Sequence, residues 1–221
     1  MKITDIRTFV VGNPPPHFGG NYFVFLKLTT DNGIVGYGEV YAATFSPHVI
    51  AAMVEDVAQR HVIGRDPFRI ETMWRNIYGS GFSMRPELSL IGVLSGLEMA
   101  CWDIIGKAVE KPVYELLGGK VHERLRSYTY IYPEDGDATD VYADPDLAAE
   151  RAAKYVSQGF TAVKFDPAGP FSAFDPRQPS LERLELSETF VRKLREAVGT
   201  RADLLFGTHG QFTTSGAIRL A

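Results

Sequence analysis

Two short polar clusters follow predicted buried strands, and their side chains are of the kinds that hold or move protons. Lys164 and Asp166 lie at the end of an apolar segment at residues 161–165, and His209 lies in a polar loop after the apolar residues 204–206. An imidazole can carry a proton near neutral pH, so a histidine in such a loop is suited to general acid catalysis. The alternative interpretation is structural: Lys164 and Asp166 form an ion pair, and His209 is an ordinary polar residue.

The segments around these clusters alternate between strand and helix. Strands are predicted at residues 126–132, 161–165 and 204–206, and helices at residues 145–158, 184–198 and from 215 onward. This order is typical of right-handed βαβ units, which build a parallel sheet. Residues 125–221 are therefore predicted to form part of a parallel α/β domain.

The first 124 residues have a different pattern, in which antiparallel strands precede helices. Strands are predicted around residues 3–11, 22–29 and 34–39. Asn32 and Gly33 indicate a hairpin turn, because Asn-Gly tolerates the positive φ angles of a tight turn. Helices are predicted to open at Ser46 and at Asp66, each followed by proline, and a long buried helix is predicted at residues 88–109. Residues 1–124 are predicted to form an α+β domain.

Composition narrows the class of protein. The chain has 221 residues, 45% of them hydrophobic, and a formal net charge of −4, which argues against nucleic acid or an anionic membrane as a partner. The apolar stretch at residues 88–105 is interrupted by polar and charged residues, so no membrane span is predicted. The single cysteine, Cys101, lies in an apolar helical segment and suits the core of a cytoplasmic protein.

Two longer motifs resemble one known family. Residues 97–108 (LEMACWDIIGKA), followed by residues 111–119 (KPVYELLGG), resemble a signature of the enolase superfamily, and more narrowly of its mandelate racemase/muconate lactonizing branch. The hairpin at residues 31–39 (DNGIVGYGE) is similar to that of the family's N-terminal domain. The resemblance covers essentially the whole chain. It implies an α+β capping domain followed by the first βα units of a (β/α)-barrel, incomplete in this chain.

The resemblance also implies a reaction. Members of the superfamily abstract the proton α to a carboxylate, and Mg²⁺ stabilises the resulting enediolate. Barrel enzymes place such chemistry at the C-terminal ends of their strands. For the lineage of this chain, the resemblance points to a dehydratase that converts an acid sugar (an aldonate) to a 2-keto-3-deoxy acid.

The strand-end residues match this family only in part. Many relatives carry Lys-x-Lys where this chain has Lys164 and Asp166, which disfavours a racemase that uses the second lysine as its base. Similar acid-sugar dehydratases carry Asp-x-His-Gly at the end of the third strand, where the histidine donates a proton to the departing hydroxyl. The resemblance therefore implies that His209 is the acid, with Lys164 and Asp166 also in the catalytic site.

Gly207 occupies the position of the metal-binding aspartate in that motif. Glycine offers no carboxylate, and Mg²⁺ prefers hard oxygen ligands. Three possibilities stay open: the ligand has shifted to Asp166, the ligand set is incomplete, or metal binding has been lost.

Two loops are candidates for contact with the substrate. The resemblance places specificity in the capping-domain loop at residues 14–22, with His17, Asn21 and Tyr22 as candidate substrate-binding residues. The insertion at residues 167–180 faces the active-site mouth of a barrel, so its Phe171, Phe174 and Asp175 either shape substrate access or form a solvated surface loop. Tyr128 and Tyr130 are expected to share one face of the first strand and to fill the core.

The end of the sequence leads to one more expectation. Residues 215–221 begin a helix without a stop signal, and a parallel strand followed by a crossover helix needs further strands beside it. We expect the remaining metal ligands and the His-Asp base to lie beyond Ala221, the chain alone to be inactive, and a longer form to be a homo-oligomer. The alternatives are a non-catalytic remnant or assembly partner of an intact homologue, and a racemase, epimerase or cycloisomerase.

Overall fold

The chain folds into two compact units, Met1–Glu123 and Arg124–Ala221. The computed structural model describes residues 1–15, 17, 19–41, 45–84, 87–166 and 177–221. Each unit has its own core of buried apolar side chains.

The first unit is an antiparallel sheet covered by helices. Its strands are β1 (Ile3–Gly12), β2 (Tyr22–Thr30) and β3 (Val35–Val40), which pair in that order. Its helices are α1 (Pro47–His61), α2 (Ile70–Gly79), α3 (Leu88–Ala108) and α4 (Val113–Leu116). Every second residue of β2 from Val24 to Thr30 is buried, because alternate side chains of a strand face opposite sides of the sheet.

Helix α3 lies unusually close to β3. A Cβ atom at Gly36 would lie 2.1 Å from the Ala100 carbonyl oxygen, and one at Gly38 would lie 2.0 Å from the Gly96 carbonyl oxygen. Glycines are required here because any side chain would overlap the helix backbone. The contact buries Leu97 and Ile104 in the core of the first unit.

The predicted helix starts agree with the structure in one of two cases. Ser46 is the N-cap of α1 and proline is its first residue, as predicted. The prediction that Asp66 opens the second helix was wrong, since α2 begins at Ile70. The Asp66 carboxylate instead accepts a hydrogen bond from the backbone N–H of Phe68, which forms a turn before the helix.

Among the residues that the structure describes, α3 is the one helix long and apolar enough to cross a membrane by length and composition. A buried core helix satisfies the same criterion. Because α3 packs against β3 and buries Leu94 and Leu97, that interpretation accounts for its apolar composition.

The second unit is a parallel sheet with helices between its strands. Its elements are β4 (Thr129–Tyr130), α5 (Pro145–Ser157), β5 (Ala162–Phe165), α6 (Leu181–Val198), β6 (Asp203–Phe206) and α7 (Thr214–Leu220). The strands pair in the order β4, β5, β6. The predicted fold class, an α+β domain followed by the first βα units of a barrel, is confirmed.

The register of these strands decides which side chains meet. Tyr130 pairs with Lys164, and Phe165 pairs with Phe206. Because successive side chains alternate between faces, Phe165 lies opposite to Lys164 and Asp166. Phe165 is buried in the core of the second unit, so the polar side chains lie on the other face.

Candidate functional site

The three predicted catalytic residues come together where β5 and β6 end. Lys164 is the third residue of β5 and Asp166 follows the strand, so the two side chains share a face. His209 lies three positions after the end of β6. Its Nδ1 atom is 3.1 Å from the Asp166 Oδ1 atom, although the two residues are 43 positions apart.

A strained turn presents His209. Both His209 and Gly210 have positive φ angles, 46° and 68°, and the Gln211 N–H donates to the Thr208 carbonyl oxygen at 2.8 Å. Two central residues with positive φ are typical of a type I′ turn, and such a backbone conformation costs a non-glycine residue about 1–3 kcal/mol. Backbone strain of this kind clusters at functional sites, which supports a functional role for His209.

The other imidazole nitrogen of His209 faces a tyrosine. The Tyr130 hydroxyl oxygen lies 3.1 Å from His209 Nε2, and the two rings stack with centroids 6.0 Å apart. The imidazole therefore lies between a carboxylate and a phenol. Asp166 is buried, whereas about half of the His209 side chain is exposed to solvent.

Lys164 supplies a positive charge next to these groups. Its Nζ atom lies 4.9 Å from the Tyr130 ring centroid and 5.4 Å from that of Tyr128, in the range of cation–π contacts. Side-chain hydrogen bonding with Tyr130 raises the pKa of Lys164, with smaller contributions from Tyr128 and Asp166. Lys164 is therefore held as an ammonium ion, which makes it a poor general base near neutral pH.

Gly207 leaves room for this arrangement. A Cβ atom at this position would lie 3.0 Å from Asp166 Oδ1, 3.0 Å from Lys164 Cε and 3.2 Å from the Tyr130 hydroxyl oxygen. The Gly207 N–H donates to the Phe165 carbonyl oxygen at 2.9 Å, which holds the glycine beside β5. The Asp166 carboxylate therefore lies next to the place where a side chain at residue 207 would start.

Comparison with known proteins agrees with this architecture. Residues 17–118 match the mandelate racemase/muconate lactonizing enzyme N-terminal domain, and residues 147–221 match the enolase C-terminal domain-like family. The chain belongs to the mandelate racemase/muconate lactonizing enzyme family.

Several known proteins are similar to this chain over most or all of its length. A D-gluconate dehydratase of Thermoproteus tenax is 32% identical over 91% of this chain and 38% of its own length. A D-galactonate dehydratase of Xanthomonas oryzae is 33% identical over 96% of this chain and 49% of its own length. A solved structure from Labrenzia alexandrii, assigned to the mandelate racemase/muconate lactonizing group, is 64% identical with a TM-score of 0.92, over 100% of this chain and 58% of its own. The chain thus spans about half the length of the curated relatives it matches.

The metal that this family implies does not fit the residues that the structure describes. Within residues 1–15, 17, 19–41, 45–84, 87–166 and 177–221, no group of three or more His, Cys, Asp or Glu side chains could hold a metal ion. Gly207 offers no ligand, and Asp166 already faces His209. These residues alone do not make a magnesium site.

The predicted substrate-binding residues lie in the first unit, at the turn between β1 and β2. His17 has a positive φ of 60°, and its Nδ1 atom is 2.6 Å from the Asn13 carbonyl oxygen. Asn21 is exposed and its carbonyl oxygen accepts from the Asn13 N–H, while the Tyr22 hydroxyl donates to the Phe45 carbonyl oxygen. Phe171, Phe174 and Asp175 lie outside the described residues.

Two tyrosines, Tyr130 and Tyr142, lie next to the site although the sequence did not predict a role there for either. The expectation that Tyr128 and Tyr130 fill the core was wrong: Tyr128 is about half exposed, and Tyr130 directs its hydroxyl at His209. Burial, and next the charge of Asp166, raise the pKa of Tyr142, so that phenol stays neutral beside the cluster. The alternation of Tyr128, Tyr130 and Tyr132 along the predicted strand at residues 126–132 was the signal in the sequence that tyrosines share one face near the site.

Proposed function

We propose that this chain carries the proton donor of an acid-sugar dehydratase, and that His209 is that donor. The position of the His209 imidazole between Asp166 and Tyr130, at the C-terminal end of a parallel strand, carries the proposal. The dehydratase names of the relatives, at about one-third identity, support the same reaction class.

In the proposed reaction, the α-proton of an aldonate leaves to a base and the β-hydroxyl departs. The charged imidazole of His209 gives its Nε2 proton to the departing oxygen while the C–O bond breaks, and water is released. Nδ1 is committed to Asp166, so Nε2 is the nitrogen that acts. The remaining enol becomes the ketone of a 2-keto-3-deoxy acid.

Lys164 and Asp166 have supporting roles in this proposal. Asp166 accepts the hydrogen bond of His209 Nδ1 and so orients the imidazole. Lys164, which stays positively charged, attracts the anionic substrate to the strand ends. The proposal also includes substrate contact by His17, Asn21 and Tyr22 and a cytoplasmic location. For the complete enzyme it includes a requirement for Mg²⁺ and a homo-oligomeric state.

The test is a turnover assay on two forms of the protein. One is the chain itself, and the other is the chain fused to the part of the Labrenzia alexandrii relative that lies beyond their match. Both forms are incubated with added Mg²⁺ and a panel of aldonates that includes gluconate and galactonate. We expect the fusion to form a 2-keto-3-deoxy acid, and the chain alone to form none because its described residues make no metal site.

A folded fusion that dehydrates none of the aldonates would contradict the proposed function. The lack of a carboxylate at Gly207 favours the competing possibility of a non-catalytic partner of an intact homologue. Racemisation or cycloisomerisation of an acid sugar by the fusion would favour the other alternative enzyme class. Both outcomes are visible in the same assay by proton NMR.

A further inference from the structure

Four polar groups form a continuous series across the ends of the three parallel strands. Lys164 Nζ lies over the Tyr130 ring, 4.9 Å from its centroid. The Tyr130 hydroxyl is 3.1 Å from His209 Nε2, and His209 Nδ1 is 3.1 Å from Asp166 Oδ1. The series therefore reaches from a cation to a buried carboxylate through one phenol and one imidazole.

The groups at the two ends of this series determine which way its hydrogen bonds donate. An ammonium group has only donors, and an ionised carboxylate has only acceptors. His209 therefore donates from Nδ1 to Asp166, which leaves Nε2 as an acceptor in the neutral ring. Tyr130 is a neighbour that can fill this acceptor, and the ammonium beside its ring favours a hydroxyl that donates away from Lys164.

We propose that Tyr130 is a positioning residue for His209, which donates its hydroxyl hydrogen to Nε2 while Asp166 holds the ring proton on Nδ1. Only the catalytic meaning of this inference rests on the proposed function. Tyr130 fixes the orientation of the ring in the resting chain, and its hydroxyl occupies Nε2, the reactive nitrogen, until the departing oxygen of the substrate takes that place. The raised pKa of Lys164, caused first by Tyr130, agrees with the direction of the series.

Tyr128, two residues before Tyr130, provides a matched control. It is also a tyrosine on the same side of the sheet, and Lys164 Nζ lies 5.4 Å from its ring centroid. Its ring contacts that of Tyr130 edge to face, with centroids 6.4 Å apart. Any effect of the lysine or of ring packing should be shared by both positions, whereas the bond to His209 belongs to Tyr130.

The test is ¹⁵N NMR of the histidine side chains in the 221-residue chain at pH 8.5, where an ordinary imidazole is neutral. His209→Asn assigns the resonances among the five histidines. In the wild-type chain we expect the proton on Nδ1 and a hydrogen-bonded Nε2. In Tyr130→Phe we expect the Nε2 resonance to move downfield and the Nε2–H tautomer to gain population, and in Tyr128→Phe neither change.

A wild-type His209 that carries its proton on Nε2 would overturn the inference, and this measurement needs no variant to fold. An Nε2 resonance that is the same in Tyr130→Phe and in the wild type would overturn it as well. Because the readout is spectroscopic, it is independent of turnover. A chain with the expected tautomer but no dehydratase activity in the fusion would contradict the proposed function alone.

Discussion

At the scale of single residues, Gly207 occupies the position where the family resemblance implies a metal-binding aspartate. Glycine offers no carboxylate, and the structure shows what a side chain at this position would meet. Asp166 Oδ1 lies 3.0 Å from the place of a Cβ atom at residue 207, so a second carboxylate there would crowd the first. The two positions are therefore coupled through space.

We predict that Gly207→Asp destabilises the second unit by about 1–3 kcal/mol, through overpacking against Asp166 and repulsion between two carboxylates. The variant Gly207→Asp/Asp166→Gly should recover part of this loss, because it removes the competing side chain. Thermal unfolding of the single and double variants measures the coupling. Equal melting temperatures for Gly207→Asp and the wild type would contradict the crowding described here.

The positions of His209, Lys164 and Asp166 could be inferred from the sequence because each lies at or just after the end of an apolar strand, and parallel strands end at one edge. The role of Tyr130 could not. Its bond to His209 joins residues 79 positions apart and depends on the register between β4 and β5. A seven-residue strand was predicted around Tyr130, but β4 has two residues. The alternation of residues along the predicted strand therefore did not show on which side of the sheet the Tyr130 side chain lies.

At the scale of elements, the first unit depends on the close contact between α3 and β3. The apolar composition of residues 88–109 was sufficient to predict a buried helix. The requirement for glycine at two positions of β3 was not visible, because the sequence near Gly33 already accounts for glycine by a hairpin turn. The helix that approaches the strand comes from a distant part of the chain.

We predict that Gly38→Ala strongly destabilises the first unit, because its Cβ would lie 2.0 Å from the Gly96 carbonyl oxygen and the backbones must separate. Overpacking of this kind costs about 1–3 kcal/mol and more where backbone must move. Gly12→Ala is the matched control, since nothing lies within 4 Å of its Cβ position. Similar melting temperatures for the two alanine variants would count against the close contact.

Helix α5 is connected to the segment after β4 by a buried arginine. Arg151, of which 6% is exposed, donates to Asp137 at 2.8 Å and to the Tyr132 carbonyl oxygen at 2.7 Å. A backbone hydrogen bond from Glu134, and then the charge and hydrogen bond of Arg151, lower the pKa of Asp137. The stability that Asp137 contributes is therefore present above its ordinary pKa and is lost as the pH falls through the lowered value.

Arg151→Met should lower the free energy of unfolding at neutral pH by more than Lys154→Met does, since it leaves the Asp137 carboxylate without its buried partner. Lys154→Met, which removes an exposed ion pair with Glu134, should cost less than about 1 kcal/mol. The difference in free energy of unfolding between Arg151→Met and the wild type should become smaller below about pH 4, where carboxylates take up protons. Urea unfolding at pH 7 and at pH 3 gives the free energy of unfolding of each protein. An equal loss of this free energy in the two variants at pH 7 would contradict the role given to Arg151.

At the scale of the whole molecule, the fold class was predictable because two kinds of pattern follow one another along the chain. Antiparallel strands joined by a hairpin come first, and alternating strands and helices come second. What the sequence could not supply is the chemistry of the complete site, because the described residues bring together one imidazole, one carboxylate and one ammonium group without a metal-binding cluster. We therefore propose that this chain supplies one step of a reaction, the delivery of a proton to a departing hydroxyl.

The measurement that tests this claim most directly compares His209→Asn with the unchanged fusion protein in D₂O. Asparagine tolerates the positive φ of residue 209, so the turn is retained while the imidazole is lost. We predict that dehydration of the aldonate slows by about 10²–10⁴-fold, the usual worth of a general acid, while exchange of the α-proton with solvent continues. Loss of both reactions, or retention of both, would contradict the assignment of His209 as the acid.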